Sequence, residues 1–215
     1  MAAPEPGILA IWNDVRPGRE ADFEAWFQGE HLAERLAVPG FRYGRRHEAI
    51  SGRPRYFVFY VTDSPEVLIS RPYRDRLDDP TPMTRMVMSE VFLNMNRTIC
   101  RRVARCGGVR GAYAVTARFG AIPDEGALVL LMAELVRDPA IASAELWVAA
   151  DLGQPVSTEE KLRGGDKTIK GCLIVDTLRQ PEAEALGARF ERDFAGAEVG
   201  VYRVLCEVGE ACRVG

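Results

Sequence analysis

The apolar positions of the chain form short strands and helices whose order occurs twice. Segments that alternate, or that are rich in Tyr, Phe and Val, predict four strands in the first half, over residues 8–15, 41–48, 55–61 and 91–104. A helix is predicted after Pro17 and another from Ser64 to Leu77, because Ser and Pro favour the first positions of helices. A third, short helix is predicted to begin at Thr81 in the same way.

The second half repeats this order. Strands are predicted over residues 112–119, 141–150, 168–177 and 199–208, and helices over 123–137 and 181–195. The last helix carries Ala183, Leu186 and Phe190 at the i, i+3, i+4 spacing of a buried helix face. A loop and a short helix over residues 154–165 begin at Ser157 or Thr158. Each half therefore reads β-α-β-β-α-β, with a linker near residues 106–111.

This element order predicts an α+β fold. One β-α-β-β-α-β unit forms a four-stranded antiparallel sheet with helices on one face, so its other face needs cover. We therefore expect two tandem ferredoxin-like units, residues 1–108 and 109–215, with one sheet each, that pack into an intrachain dimeric α+β barrel. The space between the sheets is the expected ligand site, the alternative being that the sheets pack solidly together.

Composition narrows the functional classes. The 215 residues are 47% hydrophobic and 27% charged, as in ordinary globular proteins, and the net charge of −3 argues against nucleic acid as a partner. The apolar runs, such as residues 127–133, are too short to span a membrane, and residues 1–7 lack the features of a secretory signal. Five cysteines without a C-x-x-C pair indicate reduced thiols, Cys100 and Cys106 being interpreted as buried and inert. We expect a cytoplasmic protein without membrane or nucleic-acid partners.

Motifs for cofactors are lacking in the sequence. His31 and His47 share no metal-ligand spacing, which argues against a zinc site or a histidine-rich metal site. The chain contains no G-x-G-x-x-G, Walker or G-x-S-x-G motif, so nucleotide binding and esterase chemistry have no support. The expected set of metals and cofactors is therefore none.

His31 is the main candidate for chemistry. Phe23, Trp26, Phe27 and Glu30 share one stripe of the first helix, and His31 lies at the edge of that stripe. The pattern does not continue through one regular helix, which predicts a break near residues 29–31 followed by a short second helix. At such a break His31 can face a cavity and act as a general acid or base. The alternative is a structural histidine that ties the helix end to a strand.

Other candidates lie on the strands. Trp12 and Asp14 are expected to face the barrel lumen or its mouth, while Tyr43 and His47 share one face of the second strand. Trp12, Tyr43 and Tyr60 are predicted to line an aromatic pocket, or else to form core. His47 is predicted to be an exposed strand-end residue. The candidate ligand-binding residues are Trp12, Asp14, Trp26 and Arg45.

Several segments of the first half resemble a known superfamily. The sequence reads WFQGEHLAER over residues 26–35, VPGF over 38–41 and RYFVFY over 55–60. These segments resemble the dimeric α+β barrel superfamily, in particular EthD-like and related uncharacterised bacterial proteins with an aromatic-x-x-Glu-His segment before Pro-Gly-Phe. The resemblance covers about residues 7–105, and the second half, which lacks the Glu-His segment, is interpreted as a diverged copy from an internal duplication.

The resemblance implies three functional hypotheses, because the superfamily includes cofactor-free monooxygenases, isomerases, polyketide cyclases and haem enzymes. The first is a cofactor-independent enzyme for an aromatic or polyketide-like compound, with His31 as acid or base and Tyr43 or Tyr60 orienting a phenol or carbonyl. The second is a non-catalytic small-molecule binding or stress-related protein. The third is a haem-dependent protein with His31 or His47 as axial ligand. In each case the partner is a small molecule, and the chain is a monomer with an internal pseudo-dimer or a weak homodimer.

Overall fold

The computed structural model of the protein describes residues 5–209, so Cys212, residues 1–4 and the outer ends of the two predicted units lie outside the described residues. Its strands are antiparallel to their neighbours and form a barrel. They are β1 (Gly7–Val15), β2 (Phe41–Ser51), β3 (Tyr56–Thr62), β4 (Phe92–Cys106), β5 (Tyr113–Phe119), β6 (Ile141–Ala149), β7 (Gly171–Thr177) and β8 (Glu198–Gly209).

Helices connect the strands in both halves. They are α1 (Glu20–Trp26), α2 (Leu32–Leu36), α3 (Arg71–Asp78), α4 (Pro82–Met86), α5 (Glu125–Leu135), α6 (Thr158–Arg163) and α7 (Gln180–Asp193). Side-chain oxygens of Thr81 and Ser157 accept backbone N–H groups at the starts of α4 and α6, as the N-cap preference predicts. Across residues 5–209, no helix combines the length and apolar character needed to span a membrane.

The predicted helix from Ser64 to Leu77 is divided in two. A 3₁₀ turn over Pro65–Ile69 comes first, the backbone is extended at Ser70, and α3 follows. Pro72 explains the division, because a proline inside a continuous helix removes a backbone hydrogen bond and clashes with the preceding turn.

The barrel is one continuous sheet. Around its circumference the strands follow the order β4-β1-β3-β2-β8-β5-β7-β6, and β6 pairs with β4 to close the ring. The first four and the last four strands are therefore arranged in the same order. The expectation of two separate sheets is wrong, because backbone pairing joins the halves at two seams, where Arg46 lies opposite Cys206 and Arg102 opposite Trp147.

The barrel lumen is filled with side chains. Trp12 stacks on Phe57 with ring centroids 4.7 Å apart, and Phe59 lies 5.0 Å from Trp147. These four residues are fully buried, as is Tyr202 beside Phe57. Large aromatic side chains therefore occupy the inward positions between the sheets, where the ligand cavity was expected.

The connection between β6 and β7, residues 150–170, crosses to the first half of the chain. The backbone N–H of Thr158 donates to Asp78 Oδ1 at 3.0 Å, and Arg74 Nη1 donates to the carbonyl of Pro155 at 3.1 Å. Farther along, the N–H of Lys167 donates to the carbonyl of Met95 at 2.9 Å. The second half thus places α6 against the helices that cover the first half.

Candidate functional site

A cavity lies between the outer face of the first-half strands and the helices that cover them. Its volume is about 40 Å³, which is room for a few water molecules. Its aromatic walls come from both sheet and helices, and are Phe23, Trp26, Phe27, Tyr73 and Phe92. Leu9, Ile11, Val58, Met88 and Met95 complete the apolar lining. The site therefore lies on the helix side of the sheet and not in the lumen.

The polar lining of the cavity carries more positive than negative charge. It consists of Asn13, His31, Arg35, Arg97, Glu159 and Arg163. Arg35 Nη2 donates to Glu159 Oε1 at 2.7 Å, and Arg163 lies 3.6 Å from the other oxygen of the same carboxylate. Arg97 Nη2 donates to the hydroxyl of Tyr73 at 2.9 Å. Three guanidinium groups thus line the cavity with a single carboxylate.

A π-helical turn over Phe27–His31 brings His31 to this cavity. The predicted break takes this form: α1 continues through the wider turn into α2 without leaving the helical region of backbone conformation. Such turns hold one extra residue and rotate the side chains that follow. As a result, Phe27 and His31 are both buried at the same helix face as Trp26.

His31 is buried among aromatic rings. Its ring centroid lies 4.1 Å from that of Trp26, 5.7 Å from Phe27 and 6.3 Å from Tyr60. Among residues 5–209 its Nδ1 atom has no hydrogen-bond partner, so this atom does not tie the helix to a strand. Burial, and then the nearby charges of Arg35 and Arg163, hold the pKa of His31 well below its usual 6.5. The imidazole is therefore neutral at pH 7.

A short hydrogen-bond chain fixes the indole beneath His31. Trp26 Nε1 donates to Thr84 Oγ1 at 2.9 Å, and the Thr84 hydroxyl donates to Glu30 Oε1 at 2.6 Å. Thr81, the N-cap of α4, donates to the same carboxylate oxygen at 2.5 Å. The indole therefore has a fixed plane, and His31 rests on it.

Tyr60 also packs against His31, edge to face. A side chain at Gly44 on the neighbouring strand would come within 2.8 Å of two Tyr60 ring carbons, so glycine is required there. Burial raises the pKa of the Tyr60 hydroxyl, which has no hydrogen-bond partner within the described chain.

Trp12 and Tyr43 lie on the opposite face of the sheet from His31 and Tyr60. The Tyr43 ring packs in the lumen, 6.0 Å from Phe59, while Trp12 stacks on Phe57. The prediction that Trp12, Tyr43 and Tyr60 line one pocket is wrong, because alternate strand positions project to opposite faces.

Asp14 lies at the end of the barrel, where it forms two hydrogen bonds. The backbone N–H of Arg55 donates to its Oδ1 at 2.7 Å, and Asn94 Nδ2 donates to its Oδ2 at 2.8 Å. Both oxygens of this carboxylate therefore have protein partners, and Asp14 is not part of the cavity lining.

His47 and Arg45 also face the lumen. The predicted exposure of His47 is wrong: it is fully buried, because β3 and β8 cover both edges of its strand, and it stacks 4.8 Å from Phe57. Its Nδ1 lies 3.1 Å from the Phe57 carbonyl, and burial, with a smaller effect of Arg45, lowers its pKa to about 3. Arg45 forms a buried ion pair with Asp176 at 2.9 Å.

Complete burial keeps two of the cysteine side chains protonated, as thiols. Cys100 is fully buried, and burial raises its pKa to about 12. Cys172 is also fully buried, and its pKa is raised for the same reason. Cys106 is only partly buried. Among the described residues, no group of three or more His, Cys, Asp or Glu side chains is placed to hold a metal ion.

Sequence reasoning missed the residues that complete the cavity opposite His31. Tyr73 and Arg97 come from α3 and β4, and Glu159 and Arg163 from α6. The i, i+4 spacing of Glu159 and Arg163 predicts a local ion pair, but nothing in the sequence indicates that α6 crosses to the other half.

No known protein family matches the sequence, and neither does any curated protein. Solved structures do match the fold. An anthrone oxidase-like protein superposes with a TM-score of 0.68 at 13% identity, covering 98% of this chain and 95% of its own. A proposed monooxygenase from Fusobacterium nucleatum gives 0.60 at 8% identity, covering 97% and 96%. A proposed monooxygenase from Lactobacillus acidophilus gives 0.53 at 6% identity, covering 95% and 96%. The chain therefore has the α+β barrel fold of these proteins.

Proposed function

We propose that the protein is a small-molecule enzyme in which His31 removes a proton from an aromatic or polyketide-like compound. The observation that carries this proposal is the state of His31: a neutral, buried imidazole on a cavity wall, with Nδ1 unpartnered within residues 5–209. Neutral imidazole accepts protons, and the aromatic walls suit a flat ring once the cavity, about 40 Å³ in the closed form, has opened.

The step is a proton transfer. A C–H or O–H bond of the substrate breaks, the proton moves to His31 Nδ1, and the electron pair remains on the substrate as an enolate or phenolate. Arg35 and Arg163, which are close enough to lower the pKa of His31, stabilise this negative charge. Charge stabilisation is strong in a buried site, because the surrounding dielectric is low.

Isomerases, cyclases and cofactor-free monooxygenases share this first step. The enolate is reprotonated elsewhere, attacks a carbonyl, or gives its electrons to dioxygen. Solved structures with this fold are named as an anthrone oxidase-like protein and as monooxygenases, which favours reaction with dioxygen. For anthrone the balanced reaction consumes one dioxygen and gives anthraquinone and water.

Tyr60 and Trp26 act as positioning residues in this proposal. Both rings pack against the His31 ring, and the hydrogen bond from Trp26 to Thr84 fixes the indole plane. Trp12, Asp14, Tyr43 and Arg45 take no part in the step, because they lie in the lumen or at its end.

A haem has less support than the proton transfer. The cavity at His31 measures about 40 Å³ in the closed form and would have to open much farther for a macrocycle than for a compound of one to three rings. His47 is enclosed by stacked aromatic rings in the lumen. We therefore propose chemistry that uses the chain's own side chains.

We also propose that the two halves are diverged copies of one ferredoxin-like unit of the kind that EthD-like proteins contain. The repeated strand order supports this origin, as does the placement of α5 and α7 against β6 and β5 in the second half. A barrel that closes within one chain is expected to be monomeric.

Anthrone in deuterated buffer without dioxygen tests the proton transfer directly. The protein should speed exchange of the anthrone methylene protons, followed by NMR, and should form anthraquinone when dioxygen is admitted. The His31→Gln variant should be slower by about 10²–10⁴-fold. His47→Gln is the matched control, since it changes the other buried histidine away from the cavity. If His31→Gln exchanges the methylene protons as fast as the wild type, the proposal is overturned. If the wild type binds anthrone tightly but does not speed the exchange, the non-catalytic alternative is supported.

A further inference from the structure

The most heavily buried ion pair at the cavity joins the two halves of the chain. Arg35 and Glu159 are 124 positions apart, and their side chains are only 2% and 5% exposed. Glu159 comes from α6, the six-residue helix that crosses from the second half. Contact with Glu159 therefore requires the crossing connection to be closed over the cavity.

The charges around the cavity do not balance. Arg163 has its own partner in Asp166, at 2.6 Å, and Arg35 has Glu159. Within residues 5–209, the side-chain hydrogen bond of Arg97 goes to the neutral hydroxyl of Tyr73. In addition, Arg35 Nη1 is buried and, within residues 5–209, has no hydrogen-bond partner. The cavity therefore holds an excess positive charge and a buried donor.

We infer that the cavity takes an aromatic monoanion, and that Glu159 is the specificity-determining residue which the anionic oxygen of the ligand displaces from Arg35. This inference rests on the proposed function for the place of the ligand, but it does not require His31 to transfer a proton. A carboxylate or phenolate oxygen supplies the same acceptor that Glu159 supplies in the closed form.

Displacement also solves a problem of size. A cavity of about 40 Å³ is too small for a benzene ring, so a wall has to move. Glu159 lies in one turn of a short helix, so releasing it from Arg35 frees α6 to move outward. A ligand that stays neutral in the site cannot do this at equal cost, because it would leave a buried guanidinium without a counter-charge, whereas a substrate that becomes an enolate there supplies one.

Benzoate and benzamide form a matched pair of probes, since they share a shape and differ in charge. Calorimetric titration of the full chain should show at least tenfold tighter binding of benzoate. Glu159→Gln should tighten benzoate binding about tenfold, because the competing carboxylate is gone, and benzoate should remain the tighter ligand of the two. Glu160→Gln, the same change at the next position of α6 and outside the cavity lining, should alter neither. Equal affinities for the two probes, or an unchanged benzoate affinity in Glu159→Gln, overturn the inference.

Hydrogen exchange on the wild-type protein provides a second test that does not depend on a variant folding. Benzoate should increase amide exchange in residues 158–163, and benzamide should not. If benzoate slows amide exchange in residues 158–163 or leaves it unchanged, the inference that the ligand displaces Glu159 is wrong. Benzoate selectivity should persist in His31→Gln. If selectivity is absent while His31-dependent proton exchange is present, this inference fails and the proposed function stands.

Discussion

His31 lies directly against Trp26, five positions earlier in the same helical segment, with ring centroids 4.1 Å apart. In a regular α-helix, residues five positions apart point in directions about 140° apart, given 3.6 residues per turn. The π turn over Phe27–His31 removes this divergence and places both rings on one face. The contact between catalytic candidate and aromatic wall is thus a direct product of local helix geometry.

The two buried histidines should make folding stability rise with pH. Both have folded-state pKa values below the unfolded 6.5, His47 at about 3. Between the folded and unfolded pKa values, the unfolded chain binds a proton that the folded chain does not, so stability is complete above pH 6.5 and is lost as the pH falls. At pH 5.5 His47 should lower the free energy of unfolding by about 1.4 kcal/mol relative to pH 7.5, and His31 should act in the same direction.

Urea denaturation at these two pH values measures this effect. His47→Gln should reduce the loss by about 1.4 kcal/mol, His31→Gln should also reduce it, and the double variant should retain only the contribution of the other titrating groups. If the stability of His47→Gln has the same pH dependence as that of the wild type, the inference that His47 is neutral in the folded protein is wrong.

Arg46 should contribute more to stability than a surface arginine does. Its guanidinium donates to both oxygens of Glu24 at 2.7 Å and stacks over the rings of Phe23 and Phe27. Lysine cannot reproduce the two parallel hydrogen bonds or the stacking, so Arg46→Lys should lower the free energy of unfolding by about 2 kcal/mol.

Arg42→Lys is the control for this measurement. Arg42 lies on the same strand and pairs with Asp63, but both side chains are about half exposed. Its substitution should change stability by no more than about 0.5 kcal/mol. Equal losses for the two variants would show that the Arg46 contacts carry no special weight.

The Arg45–Asp176 pair should be a strong link between the halves. Both side chains are almost fully buried, and burial raises the pKa of Asp176 even though Arg45 and Arg110 oppose the shift. Asp176→Asn leaves Arg45 with the half-exposed carboxylate of Glu207, 3.0 Å from its Nε, and should lower the free energy of unfolding by about 3 kcal/mol. The double variant Arg45→Met/Asp176→Leu should recover more than half of this loss in thermal or urea unfolding. If the double variant recovers none of the loss, Arg45 and Asp176 contribute to stability independently of each other.

A fragment of residues 1–108 should self-associate. It would expose the aromatic inner face of its strands and the unpaired edges of β2 and β4, which in the full chain pair with β8 and β6. Size-exclusion chromatography with light scattering should give oligomers or aggregates for the fragment and a monomer for the full chain. A soluble, cooperatively folded monomeric fragment would contradict the dependence of one half on the other.

Local patterns predicted the elements well because their physical causes are local. Thr81 and Ser157 cap helices as expected, and the alternation of Tyr56, Phe57 and Val58 correctly separates the two faces of β3. The position of the cavity was not predictable in this way. Whether a sheet face encloses space or packs solidly depends on the combined volume of side chains from several strands, and no single segment carries that information.

His31 shows the same division between local and distant causes. The irregular stripe around Gly29 revealed the helix defect and the histidine within it. Glu159 and Arg163, by contrast, reach the cavity only because a connection in the other half crosses over, and that path depends on contacts such as Thr158 with Asp78. His47 was misjudged because its burial depends on pairing between β2 and β8, strands from different halves.

The crossing of α6 has a consequence for symmetry. Between β2 and β3 the chain needs only residues 52–55, whereas the corresponding connection between β6 and β7 runs over residues 150–170. In a barrel built from two identical subunits, a twofold axis would make both connections alike. Each subunit would then have to bind a ligand and also cover the ligand of its partner. With both halves in one polypeptide this constraint is lifted, so under the proposed function one half holds the ligand and the other closes over it. The expected stoichiometry is accordingly one ligand per barrel.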